Sequence, residues 1–120
     1  MKVIKRDELI TMPAGTVYQE FTEHVLGGIC IKDDTCAPGG EPIDWFFVPI
    51  PEPSNGHTDT MLSRFDLASG MSVGIDFETV ERDGLFNASQ LYAVWEKRDV
   101  RGLIDRLELA IKGYDTNTGA

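Results

Sequence analysis

Thr16-Val17-Tyr18-Gln19-Glu20-Phe21 alternates and reads as a strand. Upstream of it, Asp7–Met12 reads as a short helical turn closed by Pro13, with Ala14–Gly15 as a turn. Downstream, Gly27–Gly28 marks a turn into a second strand, Ile29–Lys32, which a polar turn at Asp33–Asp34 ends. Pro38–Gly40 is a loop, and Ile43–Val48 is a third strand of heavy aromatic content. Pro49 to His57 reads as an irregular surface loop. Asp59 to Ala68 looks helical, with Met61, Leu62, Phe65 and Leu67–Ala68 as its apolar side and Gly70 as its stop. Ser72–Phe77 alternates as a strand whose expected neighbour is Leu91–Trp95, with the Arg82–Gly84–Phe86 loop between them. Asp99 can cap a last helix, Val100 to Lys112, with Leu103, Ile104, Leu107, Ala110 and Ile111 as a buried stripe and Gly113 at its end. Short strand connections predict an α+β fold: a mostly antiparallel sheet of about five strands with two main helices, the C-terminal helix packed on the sheet. Residues 1–113 form one expected domain, and 114–120 a flexible tail.

The 120 residues carry a net charge of −9. That charge argues against duplex nucleic acid, whose binding rests on neutralising phosphates, yet it permits a small nucleotide in a local cationic pocket. No run approaches a membrane span, and the charged N-terminus lacks the apolar stretch of a signal peptide, so a soluble cytoplasmic protein is expected. Five residues separate Cys30 from Cys36, which fits neither a zinc knuckle nor a redox pair, and both read as reduced thiols. No metal and no cofactor is expected. The chain has no Gly-x-Ser-x-Gly, no phosphate-binding Walker loop, no His-Glu-x-x-His and no Gly-x-Gly-x-x-Gly, and an enzyme is not expected.

Charge is distributed unevenly. Between Asp7 and Glu81 only Lys32 and Arg64 are cationic. Positive charge then returns as Arg82, Lys97, Arg98, Arg101, Arg106 and Lys112, mixed with Phe86, Tyr92 and Trp95. Guanidinium groups pair with phosphate and aromatic faces stack on bases, so this quarter points to an anion that carries a flat ring. A plainer reading stands beside each residue. Arg82–Asp83–Gly84 also suits a simple turn, Phe86 with Asn87 a core ring and its cap, and Arg101 a surface ion pair with Asp105 or Glu108. Tyr92 and Trp95 are three apart on one strand, so one packs in the core and the other reaches a surface or pocket.

Three stretches resemble the first type of Thoeris anti-defence proteins, phage sponges of immune nucleotide signals. They are Ile4–Leu9 with Met12–Tyr18, the Glu81–Phe86 loop, and the aromatic strand followed by Lys97–Val100 and a terminal helix. The resemblance implies binding of cyclic ADP-ribose isomers without degradation, in the cytoplasm of an infected bacterium. It also implies a homodimer or hexamer whose pockets draw on both subunits, and cyclic oligonucleotides as further ligands. By that likeness the ligand-binding candidates are Phe77 or Phe86, Asn87, and Arg101 with Arg106, joined by Arg82 from the cationic loop. Asp105 departs from the pattern where a second arginine one turn after Arg101 is expected. A different class also fits the composition: an acidic inhibitor that docks on a basic protein surface, of anti-restriction or anti-CRISPR type, through Asp33, Asp34, Glu41 and Asp44.

Overall fold

The computed structural model describes residues 1–50, 52–53 and 74–117. In chain order these form β1 (Lys2–Lys5), α1 (Arg6–Leu9), β2 (Val17–Thr22), β3 (Val25–Cys36), β4 (Asp44–Ile50), β5 (Glu52–Pro53), β6 (Ile75–Asp76), β7 (Glu81–Arg82), β8 (Leu91–Val94) and α2 (Lys97–Asn117). The class is α+β. Six strands make one open antiparallel sheet in the order β1-β8-β2-β3-β4-β7, and β5 with β6 forms a separate two-stranded ribbon. The expected helix at Asp59–Ala68 lies outside the described residues. No helix among the described residues is long and apolar enough to cross a membrane.

The β2–β3 connection turns at Glu23–His24, both at positive φ (50° and 67°), with Thr22 paired to Val25. Two successive left-handed residues give a two-residue turn whose twist matches the strands it joins. The turn expected at Gly27–Gly28 is therefore absent, and those glycines lie inside β3. Between the pairs Gln19–Ile29 and Phe21–Leu26, β3 carries one residue more than β2, so the glycines sit in a bulge. A second bulge holds Asp33–Asp34, which the sequence suggested as a turn: Lys32 pairs with Phe47 and Thr35 with Trp45, again with one residue extra on β3. This bulge brings Thr35 under the Lys32 ammonium, which donates to Thr35 Oγ1 at 2.5 Å and to the Asp33 carbonyl at 3.3 Å. Lys32 is buried, and burial lowers its pKa.

The core lies on one face of the sheet, with α1 against it. Tyr18, Trp45 and Tyr92 are buried there, and their rings meet edge to face with centroids 5.7–6.3 Å apart. Ile4, Leu9 and Ile10 close the cluster, which gives the one-turn helix α1 its purpose: it lays Leu9 and Ile10 over the rings. Trp45 Nε1 donates to Tyr18 Oη at 2.9 Å. Tyr92 Oη is the one buried side-chain polar atom without a hydrogen-bond partner among the described residues. Burial pushes its phenol up to about 12, with the nearby Arg6 charge opposing that shift. Trp95 turns to the opposite face and donates to Gln19 Oε1 at 2.9 Å, so Tyr92 is the core member of the pair and Trp95 the half-buried one. Burial also pushes the partly buried Cys30 thiol up to about 12, and both cysteines are free.

Three expectations need correction. Ile75–Asp76 pairs with β5 and not with Leu91–Val94, which instead runs between β1 and β2. The last helix starts at Lys97 and passes Gly113 to Asn117, so much of the expected tail is helical. Its stripe is also uncovered: every residue from Arg101 to Lys112 is exposed, Leu103, Ile104, Leu107 and Ile111 included, so the helix does not lie packed on the sheet of its own chain. Asp99 does cap it, from the third helical position, by accepting the Glu96 amide at 2.9 Å.

The two buried tyrosines separate packing from hydrogen bonding. Tyr18→Phe orphans the Trp45 indole N–H and is expected to cost about 1–3 kcal/mol. Tyr92→Phe removes a hydroxyl that lies near the Arg6 guanidinium but outside hydrogen-bond geometry, and is expected to change stability by less than about 1 kcal/mol. Urea unfolding of both variants, compared at constant m-value, checks the contrast.

Candidate functional site

Asp44 begins β4 and is completely buried. Its Oδ1 accepts the Trp45 amide at 2.9 Å and the Gly84 amide at 3.2 Å. Its Oδ2 accepts Arg82 Nε at 2.6 Å and shares the Gly84 amide at 3.1 Å. Arg6, at the start of α1, approaches Oδ1 to 3.6 Å. Burial alone would raise the Asp44 carboxyl, but the bonds from Arg82, Trp45 and Gly84 hold it below its ordinary value.

Arg6 is the second node. Its Nη1 donates to Asp83 Oδ2 at 2.8 Å and its Nη2 to the Ile43 carbonyl at 2.9 Å. Its guanidinium lies 4.4 Å from the Trp45 ring centre and 5.5 Å from that of Phe86. The side chains of Arg6 and Asp83 are both buried. Asp83 also donates its amide to the Trp45 carbonyl at 3.0 Å, which extends the β4–β7 pairing into the loop.

These two nodes shape residues 83–87. Gly84 and Phe86 take positive φ, 63° and 50°. For a phenylalanine that backbone is unusual and is kept only where its surroundings impose it. Two large apolar side chains are thereby displayed, Leu85 at 62% and Phe86 at 55% exposure. Arg82, 52% exposed as a side chain, has its guanidinium carbon 5.9 Å from the Phe86 ring centre. Only its Nε is bonded, so both terminal nitrogens are without a partner among the described residues. Beside Arg6 a cleft of about 430 Å³ opens between Lys5, Asp7, Ile10, Pro42, Ile43 and Ala88.

The structure brings Arg82 and Phe86 together. Asn87 adjoins them, but its side-chain oxygen is spent on its own turn, accepting Ser89 N at 3.1 Å and Ser89 Oγ at 2.8 Å. No hydrogen bond, ion pair or ring contact ties Phe77, Arg101 or Arg106 to this loop. Phe77 follows β6 in a turn capped by Asp76, and Arg101 pairs with Asp105 at 3.3 Å on the open surface of α2. Arg106 is exposed on the same helix. Arg6, Asp44 and Asp83 are the residues that sequence reasoning missed at this site. Among the described residues no three His, Cys, Asp or Glu side chains converge to hold a metal ion.

Two arginines face two aspartates here, so the network is neutral overall, and what remains for a ligand is the outer edge of one guanidinium beside one exposed ring. No family model, no curated protein and no solved structure matches this chain.

Because the folded carboxyl of Asp44 titrates below its unfolded value, the stability it contributes is complete above about pH 4 and is lost as pH falls through the lowered value. The protection of the Gly84 amide, relative to its intrinsic exchange rate, is therefore expected to stay high from neutral pH down to about pH 4 and to fall only at lower pH. Asp44→Ala leaves Arg82 and two amides unpaired, and is expected to free that amide at every pH and to destabilise the fold by about 3–5 kcal/mol. Protection of Gly84 that already falls between about pH 7 and pH 5 contradicts this assignment.

Proposed function

We propose that this chain binds a small cyclic nucleotide signal of the cyclic ADP-ribose type and holds it unchanged, as a phage anti-defence protein in the cytoplasm of an infected bacterium. The observation that carries this reading is Arg82, tethered by Nε with its terminal nitrogens unbonded, beside the exposed ring of Phe86. A planar cationic fork next to a flat apolar face matches a phosphate joined to a base. The sequence motifs of the resemblance supply the ligand class.

Magnitudes set the stoichiometry. One charge-assisted guanidinium–phosphate contact contributes about 1.5–3 kcal/mol and one stacked base about 1–3 kcal/mol. Together these reach only about 2.5–6 kcal/mol, on the order of tens of millimolar to tens of micromolar affinity. Sequestration needs more contacts. A second copy is a natural source, because α2 leaves Leu103, Ile104, Leu107 and Ile111 uncovered and carries Arg101 and Arg106 along the same exposed helix. A homodimer that buries this stripe brings those arginines into an interface; a hexamer extends the same logic. The acidic-inhibitor alternative loses one of its carboxylates, since Asp44 is wholly internal.

Calorimetry against cyclic ADP-ribose isomers and cyclic dinucleotides tests the reading. Arg82→Ala and Phe86→Ala are each expected to weaken binding about ten- to a hundred-fold. Ligand recovered after heat denaturation of the protein should be chemically intact, and light scattering on the same samples should give a mass of two chains or more. Multiple-turnover hydrolysis, or full affinity in both variants, rejects it.

A further inference from the structure

We infer that Asp44 is the positioning residue of this seat: it holds Arg82 through Nε alone, so that both terminal nitrogens of the guanidinium remain available beside Phe86. The consequence for affinity rests on the nucleotide-binding reading, whereas the geometry stands without it.

An arginine and a carboxylate left to themselves pair in a two-pronged way that consumes two guanidinium nitrogens. Here the second prong is blocked. Oδ1 of Asp44 is already occupied by the Trp45 amide at 2.9 Å and the Gly84 amide at 3.2 Å, with Arg6 at 3.6 Å. Oδ2 shares the Gly84 amide at 3.1 Å and takes Arg82 through Nε at 2.6 Å, a single-pronged pairing. The same carboxylate anchors Gly84, two residues before the ring, and Arg6 beneath Asp44 also faces Phe86 at 5.5 Å. One buried group thus sets the orientation of the cation and the placement of the ring. Because Asp44 is fully buried, a bound anion does not meet its negative charge directly. A long surface side chain that would otherwise sample many rotamers is held ready, which lowers the ordering cost on binding.

Asp44→Asn isolates this role. With its amide oxygen in the place of Oδ1 it keeps the Trp45 bond, and its NH2 then faces Arg82 Nε–H, donor against donor. The opposite flip restores the Arg82 bond only by losing Trp45. The wild-type Arg82 Nε–H is expected to give a distinct, slowly exchanging signal in a 15N–1H spectrum, which Asp44→Asn abolishes. Affinity for cyclic ADP-ribose, used as the probe, should fall tenfold or more, and Arg82→Ala should cost clearly less in the Asp44→Asn background than in the wild type. A rapidly exchanging Nε–H in the wild type overturns the inference, as does full affinity in Asp44→Asn or an additive double variant. Arg82→Lys at this half-exposed position gives a second test that does not threaten the fold. A lysine has no separate Nε to give to Asp44, so one ammonium must serve both Asp44 and the anion without the planar fork, and its affinity should fall well below that of the wild type. Retained affinity in Arg82→Lys overturns the inference. A wild type that binds no cyclic ADP-ribose rejects the functional reading instead, and the Nε–H signal still decides the positioning.

Discussion

A carboxylate with no exposure to water is costly, by several kcal/mol per ion even after relaxation, and it persists only where hydrogen bonds replace its hydration. Asp44 satisfies that condition with two backbone amides and one guanidinium, and with Arg6 close by. The partners come from β4 itself, from β7 with the loop after it, and from the start of α1. The last short strand of the sheet and the display of Phe86 both depend on this one group. Arg6 is the counterpart: its buried charge is met by Asp83 and the Ile43 carbonyl, and its flat face lies against Trp45. Polar and aromatic parts of the core are joined there, since Trp45 belongs to the ring cluster with Tyr18 and Tyr92.

Where local pattern matched tertiary demand, the sequence was readable. The strands at Thr16–Phe21, Ile43–Val48 and Leu91–Trp95 stand close to where they were expected, and the spacing of Tyr92 and Trp95 separated core from surface. β1 was not expected, because Lys2 and Lys5 disguise an edge strand as a charged terminus. Gly27–Gly28 and Asp33–Asp34 misled because glycine pairs and acidic pairs suit bulges as well as turns, and the true turn uses Glu23–His24, which carry no glycine signal. Periodicity identified α2 and its apolar stripe. Periodicity reports that a face is apolar and is silent on what covers it. Of the site, Arg82 and Phe86 were legible from composition. Their supports were not, since Asp44 meets Arg82 across 38 residues and Arg6 meets Asp83 across 77.

The acidic composition takes on a local meaning here. Asp44 and Asp83 neutralise Arg6 and Arg82, so under the proposed reading the seat would attract an anion through unsatisfied donors more than through net charge. Such a site discriminates by shape and hydrogen bonding, and a small ring-bearing phosphate suits it better than a long polyanion, which the net charge of −9 repels. Under the same reading the uncovered stripe of α2 would supply the complement, apolar area for association with arginines on the same exposed helix.

A 15N–1H titration of the full chain with a cyclic ADP-ribose isomer tests the central claim most directly. The account expects the largest shifts at Arg82 Nε–H and the Gly84–Asn87 amides, with α2 responding if a second copy completes the site. Shifts confined to Asp33–Glu41, or none at saturating ligand, would contradict it.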